Sequence, residues 1–89
     1  MREIIRTNQF KKDVKRMQKR DADMSRLRTA IQELASSGTL SQRYRPHKLS
    51  GEWDNMWECH LKGDWLIVYN VTETELWLAR TGTHADLFG

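Results

Sequence analysis

The chain has 89 residues, with 15 Lys and Arg, 12 Asp and Glu, and a net charge of +3. This length favours one domain, residues 1–89, with little room for a second core. Its apolar runs are too short for a membrane span, and its N-terminus lacks the apolar segment of a signal peptide. The single cysteine, Cys59, excludes an internal disulfide and a zinc site built on thiolates, so a cytoplasmic protein without a membrane partner is expected.

The charge is divided unevenly along the chain. Residues 1–48 carry 13 basic and 5 acidic side chains, whereas residues 49–89 carry 2 and 7. The basic half suits an anionic partner such as RNA, DNA or an acidic protein, but it also suits the solvent faces of helices. Composition alone favours the second interpretation, since most charge runs are solvated.

The first half of the chain predicts a strand followed by two helices. Residues 3–6 form a short strand, and a helix runs from an N-cap at Asn8 through Arg20. A second helix begins near Asp21 and Asp23 and ends at Gly38. Helical spacing gives each helix one apolar stripe: Phe10, Val14 and Met17, then Met24, Leu27, Ile31 and Leu34. Two helices joined this closely form an antiparallel hairpin, after which residues 39–55 look irregular.

The second half predicts three strands, Met56–Lys62, Trp65–Val71 and Glu75–Thr81, followed by a short tail. Alternation in the first of these sets Trp57, Cys59 and Leu61 against Glu58, His60 and Lys62, with Cys59 inert in the core. Trp53, Trp57 and Trp77 are expected at the core or its edge. The order β-α-α-β-β-β indicates an α+β fold, an antiparallel meander with the helical hairpin packed on one face.

Three histidines are the main chemical feature, since no phosphate loop or metal motif is present. A meander can bring together a histidine before the sheet, one on a strand and one in the tail, with an acid and an arginine nearby. Imidazoles suit proton transfer near neutral pH, and a guanidinium suits phosphate oxygens. These are the parts of metal-free RNA cleavage, with two aromatic residues available to stack a base. The residues are His47, His60, His84, Asp64, Arg80, Trp65 and Phe88.

Simpler interpretations of the same residues stay open. A lone histidine is usually a surface or hydrogen-bonded residue, and the histidine spacing gives no short chelating pair for zinc. Asp64 suits a turn, Arg80 a paired strand position, and Trp65 a packing position at the start of a strand. The residue chemistry alone therefore leaves the nuclease as one hypothesis among several.

Four sequence blocks carry a resemblance to a known family. They are residues 47–53 (HKLSGEW), 58–60 (ECH), 64–69 (DWLIVY) and 80–88 (RTGTHADLF). In order and approximate spacing, these blocks resemble the YafQ-like branch of the RelE/ParE superfamily, the toxins of type II toxin–antitoxin pairs. The resemblance covers the whole chain in outline and is specific from His47 to Phe88.

The resemblance implies a RelE-like fold and a small endoribonuclease without metal or cofactor. Such toxins cut messenger RNA in the ribosomal A site and arrest translation. By the same resemblance His47, His60, Asp64 and His84 form the acid–base set. Arg80 steadies the phosphate, while Trp65 and Phe88 shape the site or contact the substrate.

The resemblance also implies partners and leaves alternatives. The expected partners are a cognate antitoxin, the ribosome and messenger RNA, with DNA reached only through the antitoxin. The chain has Gly63 where many relatives have proline, which puts the rigidity of the turn before Asp64 in doubt. The gyrase-directed relatives generally lack this histidine set, and the chain lacks the late tyrosine of the RelE site. Three competing hypotheses remain: a non-enzymatic antitoxin-binding co-repressor, a toxin acting on a protein target and a free-standing ribonuclease.

Overall fold

The computed structural model describes all residues 1–89 and contains three helices and one five-stranded sheet. The helices are α1 (Asn8–Lys19), α2 (Met24–Ser37) and α3 (His84–Phe88). The strands are β1 (Glu3–Arg6), β2 (His47–Lys48), β3 (Trp57–Lys62), β4 (Trp65–Val71) and β5 (Glu75–Gly82). None of the helices has the length and apolar character needed to cross a membrane.

The sheet order is β1-β5-β4-β3-β2. Strands β2 to β5 pair antiparallel with their neighbours, whereas β1 pairs parallel with β5. The predicted α+β fold and its meander are therefore confirmed, with the N-terminal strand added in parallel at the β5 edge. One strand and one α-helix were not predicted: the two-residue strand β2, within a segment expected to be irregular, and helix α3, where a plain tail was expected.

The helical hairpin covers one face of the sheet and forms the main core. Sixteen buried residues form it, including Phe10 of α1, Leu34 of α2 and Ile67 of β4. A smaller cluster on the opposite face joins Leu66 and Val68 to Leu87 of α3. Because the small cluster is covered only by α3 and loops, polar side chains on that face of the sheet remain accessible.

The helix ends follow ordinary capping rules. The N-cap of α1 is Thr7, whose hydroxyl accepts from the amide of Phe10, so the predicted cap at Asn8 is wrong by one residue. Asp23 caps α2 as expected, and Gly38 ends it in the left-handed conformation at φ 79°. Thr7 also donates to the carbonyl of Ala79, which ties the start of α1 to β5.

The alternation predicted for β3 holds only in its second half. Cys59 and Leu61 are buried, and burial raises the pKa of the Cys59 thiol to about 12, which makes it unreactive. Trp57 and Trp77, expected at the core or its edge, are 38% and 40% exposed. Glu58, expected to face solvent, is buried, and its carboxylate lies 3.0 Å from a ring nitrogen of a histidine on the neighbouring strand.

Candidate functional site

Strand pairing brings two of the predicted histidines side by side. His47 of β2 lies opposite Glu58 of β3, and its Nε2 is 3.0 Å from Oε1 of Glu58. Glu58 and His60 are two residues apart, so they share one face of the sheet, the face of the small cluster. The ring centroids of His47 and His60 are 6.4 Å apart.

Helix α3 supplies the third histidine. The ring of His84, its first residue, lies 6.0 Å from that of His60 and 6.1 Å from that of Phe88. Phe88 in turn makes an edge-to-face contact with Trp53 at 5.8 Å. The predicted residues His47, His60, His84 and Phe88 therefore form one continuous surface, which Trp53 extends.

Asp64 orients His84. Its Oδ1 forms a short hydrogen bond with Nδ1 of His84 and accepts the backbone N–H of the same residue at 3.3 Å. The hydrogen bond from His84 lowers the pKa of the Asp64 carboxyl, so the carboxylate is ionised at neutral pH. A carboxylate on Nδ1 favours the tautomer that carries its proton there, which leaves Nε2 free to exchange a proton with a ligand. Asp64 is thus more than the plain turn residue that sequence alone allows.

His60 is the least solvated of the three histidines. Its Nδ1 is buried and has no hydrogen-bond partner. Burial lowers the pKa of His60, and the positive charge of Arg45 lowers it further against the opposing effect of Glu58. A neutral imidazole beside a cation can accept a proton at pH 7.

Arg80 is held by α1, and in the sheet register it lies across β4 from Glu58, because both residues pair with Val68. Its Nε and Nη2 donate to the carboxylate of Asp13 at 2.7 and 3.2 Å. Asp13 is fully buried and also accepts from Arg16, Gln9 and the backbone N–H of Thr81. Burial raises the pKa of this carboxyl, but the bonds from Arg80 and its neighbours outweigh it and leave the pKa below its ordinary value.

A second carboxylate connects α1 to α3. Asp86 closes a capping box with Thr83 at the start of α3, and it accepts two hydrogen bonds from Arg20, at 2.7 and 3.1 Å. Arg16 donates to Asp13 through Nη2, while its Nε lies 4.0 Å from the Asp86 carboxylate, beyond hydrogen-bond distance. The hydrogen bonds from Arg20 and Thr83 hold the pKa of Asp86 well below its usual range. Helix α1 thereby positions both Arg80 and the helix that carries His84.

Trp65 occupies a different place from the other predicted aromatic residue. Its ring is only 5% exposed and its Nε1 donates to Oγ1 of Thr81 at 2.9 Å. A ring buried to this extent packs inside the fold and has no free face on which a base could stack. Trp53 is the tryptophan that adjoins this surface, through its edge-to-face contact with Phe88.

Three site residues were missed from the sequence: Glu58, Asp13 and Arg45. Charged residues on a strand or helix normally face solvent, so the pattern offered no signal for the burial of Glu58 and Asp13. Arg45 has a left-handed backbone at φ 48°, rare for a residue with a side chain. Its position directly before Pro46 and His47 was the only available hint.

The site also has the donors for a metal ion. Ligand atoms of Glu58, His60 and His84 all lie within 4.8 Å of one another. One carboxylate and two imidazoles suit a divalent transition metal such as zinc or copper. The folded chain thus supplies a chelating set that the histidine spacing in sequence did not reveal.

Comparison with known proteins agrees with this geometry. Residues 2–89 match the family model described as bacterial toxin of type II toxin–antitoxin system, YafQ. The mRNA interferase toxin YafQ of Escherichia coli K12 is 39% identical over 89 residues, covering 99% of this chain and 97% of the relative.

Solved structures give the same assignment. The E. coli DinJ–YafQ complex contains a chain that matches with a TM-score of 0.91 and 39% identity, covering 100% of both chains. A metal-bound toxin from Helicobacter pylori matches with a TM-score of 0.90 and 37% identity, covering 99% of this chain and 100% of the other. The chain belongs to the YafQ family of bacterial toxins of type II toxin–antitoxin systems.

Proposed function

We propose that this toxin is an mRNA interferase, an endoribonuclease that cuts messenger RNA in the ribosomal A site and so inhibits translation in the cytoplasm. The observation that carries the proposal is the convergence of His47, His60 and His84 with the Asp64 carboxylate on one surface. The E. coli relatives are named mRNA interferases, which supports the same reaction here.

His60 acts as the general base in this mechanism. Its lowered pKa keeps it neutral, so it takes the proton of a ribose 2′-OH. The freed 2′-oxygen attacks the adjacent phosphorus and forms a new P–O bond. The buried Glu58 lies on the same strand face and holds His47 beside His60.

His84 acts as the general acid. Asp64 keeps a proton on its Nδ1 and compensates the charge when the ring is an imidazolium. The proton on Nε2 passes to the 5′-oxygen as the P–O5′ bond breaks. The products are a 2′,3′-cyclic phosphate and a free 5′-hydroxyl. His60 has gained the proton of the 2′-OH, and His84 has lost one proton to the 5′-oxygen.

Arg80 is proposed to stabilise the charge that develops on the phosphate oxygens. The Asp13 carboxylate accepts from the Nε–H and from one Nη2–H of Arg80, so the remaining N–H donors of the guanidinium are available. The buried carboxylate fixes the guanidinium before substrate arrives, and a preorganised cation costs less reorganisation in the transition state. Phe88 and Trp53 provide aromatic surface on which a base can stack.

An antitoxin is the proposed inhibitory partner, because E. coli YafQ has been solved in complex with DinJ. A groove between α1 and α2 has Phe10, Val14 and Ile31 at its base and Lys11 and Lys15 on its rim. An amphipathic segment with acidic residues would fit this groove, since both its apolar and its charged side chains find partners. Charge reversal at Lys11 and Lys15 should weaken the complex with the antitoxin, as measured by titration calorimetry; unchanged affinity would place the antitoxin elsewhere.

The experiment that tests the reaction is cleavage of messenger RNA by the purified toxin in EDTA, with and without programmed ribosomes. Cleavage only with ribosomes, lost in His84→Ala, is the expected result. Cleavage of naked RNA would indicate a free-standing ribonuclease. No cleavage by folded protein would favour the antitoxin-binding co-repressor, and cleavage that EDTA abolishes would give the Glu58, His60 and His84 cluster a metal-dependent role.

A further inference from the structure

A polar cavity of about 370 Å³ is lined in part by His60, one of the three clustered histidines. It opens where β2 has ended and β3 forms the edge of the sheet, beside the first turns of α2. The residues that line the cavity include Ser25, Arg26, Thr29, Arg43, Tyr44 and His60. The cavity shares His60 with the proposed reaction centre, so the two sites are adjacent.

The two arginines of this cavity have donors to spare. Arg26 makes no side-chain hydrogen bond, and its Nε is 4.0 Å from Asp23. Arg43 donates to the hydroxyl of Tyr44 at 3.0 Å and lies over that ring, but its Nη2 is 3.8 Å from Glu33. Both carboxylates are therefore beyond hydrogen-bond distance, and both guanidiniums are largely exposed.

Three other arginines of the chain differ in this respect. Arg20 and Arg80 each make a bidentate bond to a carboxylate, and Arg16 donates to Asp13 at 2.5 Å. The cavity itself has no acidic residue in its lining, and the hydroxyl of Thr29 adds a further donor, whereas the hydroxyl of Ser25 donates to Asp23. Free guanidiniums and hydroxyls without a competing carboxylate are the donors that bind a phosphodiester.

We propose that this cavity is a second phosphate subsite, in which Arg26 and Arg43 bind an RNA phosphodiester next to the one that is cleaved. The proposal rests on the proposed function, because it is the RNA strand at the histidines that must continue past His60. A strand anchored at a neighbouring phosphate holds its scissile bond in place, which raises the effective concentration of the reacting groups. The subsite reads no base, since arginine contacts to phosphate carry no sequence information.

The test measures binding of a short fluorescent RNA that carries a 2′-deoxy nucleotide at the cleaved position and so stays intact. Arg26→Ala/Arg43→Ala should bind about tenfold more weakly than the wild type. Lys12→Ala/Lys19→Ala is the control, because it removes two exposed positive charges of α1 that do not line the cavity. An equal loss in the control would show general electrostatic attraction and overturn the subsite, as would undetectable binding by the wild type.

Replacing single phosphates of the RNA by neutral analogues identifies the phosphate that contacts Arg26 and Arg43. Each phosphate beside the cleaved position is replaced in turn by a methylphosphonate, which has lost its charge. One replacement should weaken wild-type binding about tenfold and leave the Arg26→Ala/Arg43→Ala variant unaffected, since its partner is already missing. Equal penalties in both proteins would refute the proposed contact.

Cleavage on programmed ribosomes separates this proposal from the reaction itself. If the wild type binds the RNA through Arg26 and Arg43 but does not cleave, the proposed function fails and the subsite stands. If the wild type cleaves and the double variant matches the control in binding and cleavage, the subsite fails and the function stands. A variant that loses ribosome-dependent cleavage but keeps short-RNA binding would assign the cavity to ribosomal RNA and overturn the proposal.

Discussion

The substitution Asp13→Asn tests the network that holds Arg80, because it keeps the shape of a fully buried side chain and removes its charge. The carboxylate accepts hydrogen bonds from Arg80, Arg16, Gln9 and the backbone of Thr81. The substitution replaces one carboxylate oxygen by an NH₂ group, which then faces hydrogen-bond donors and has no acceptor. Breaking a buried pair costs about 3 to 5 kcal/mol, and the partial exposure of Arg80 reduces this to about 3 kcal/mol.

The assay is thermal and urea unfolding at pH 7. For a domain of this size a loss of about 3 kcal/mol lowers the Tm by about 12 to 24 °C. Asp21→Asn is the matched control, since Asp21 is exposed, forms no side-chain hydrogen bond and has a positive φ of 60° that asparagine accepts. The control should lie within about 0.5 kcal/mol of the wild type.

The pH dependence gives an independent check. The folded pKa of Asp13 is below its ordinary value of 3.8, so its contribution is complete above that value and is lost as the pH falls towards the folded pKa. The stability difference between wild type and Asp13→Asn should therefore shrink as the pH is lowered through 3.8. A difference below about 0.5 kcal/mol at pH 7, or one that grows with acid, would refute the assigned role.

Four further predictions concern the histidines, the cap of α3 and the buried Cys59. His60→Ala and His84→Ala should each lower single-turnover cleavage by about 10² to 10⁴ while the circular dichroism melt stays near wild type; full activity in either would remove it from the mechanism. His47→Ala should lower the rate less than His84→Ala, because His47 sits on a two-residue strand; the reverse order of rates would contradict this. Asp86→Ala should lower stability by about 1 to 2 kcal/mol in urea unfolding through loss of the capping box, with Glu73→Ala as the neutral control. Cys59 should resist iodoacetamide in the native protein at pH 8 and react once it is unfolded in urea; rapid native labelling would contradict its burial.

The order of the elements could be predicted from the sequence because hydrophobic periodicity and turn residues are local signals. The stripe of Phe10, Val14 and Met17 defined α1, and the strand Trp65–Val71 was predicted to the residue. Helix α3 escaped prediction since five residues carry too little periodicity, and its stability comes from Arg20 and the small cluster.

The site was predictable only in part. The resemblance identified His47, His60, Asp64 and His84, and the fold does bring them together. The burial of Asp13 depends on a partner 67 residues away, so no local pattern could indicate it. The depth of Trp65 and the exposure of Trp57 likewise follow from which face each strand turns to the helices, a tertiary property.

The placement of β5 between β1 and β4 has a consequence for synthesis of the toxin. The first strand has no partner other than β5, and Asp13 of α1 accepts hydrogen bonds from Arg80 and the backbone of Thr81 on that strand. Since His84 and Phe88 follow β5 directly, a nascent chain that lacks residues 75–88 has neither a complete sheet nor a reaction centre. A nascent chain can therefore assemble the histidine surface only after residues 84–88 have been synthesised and released from the tunnel.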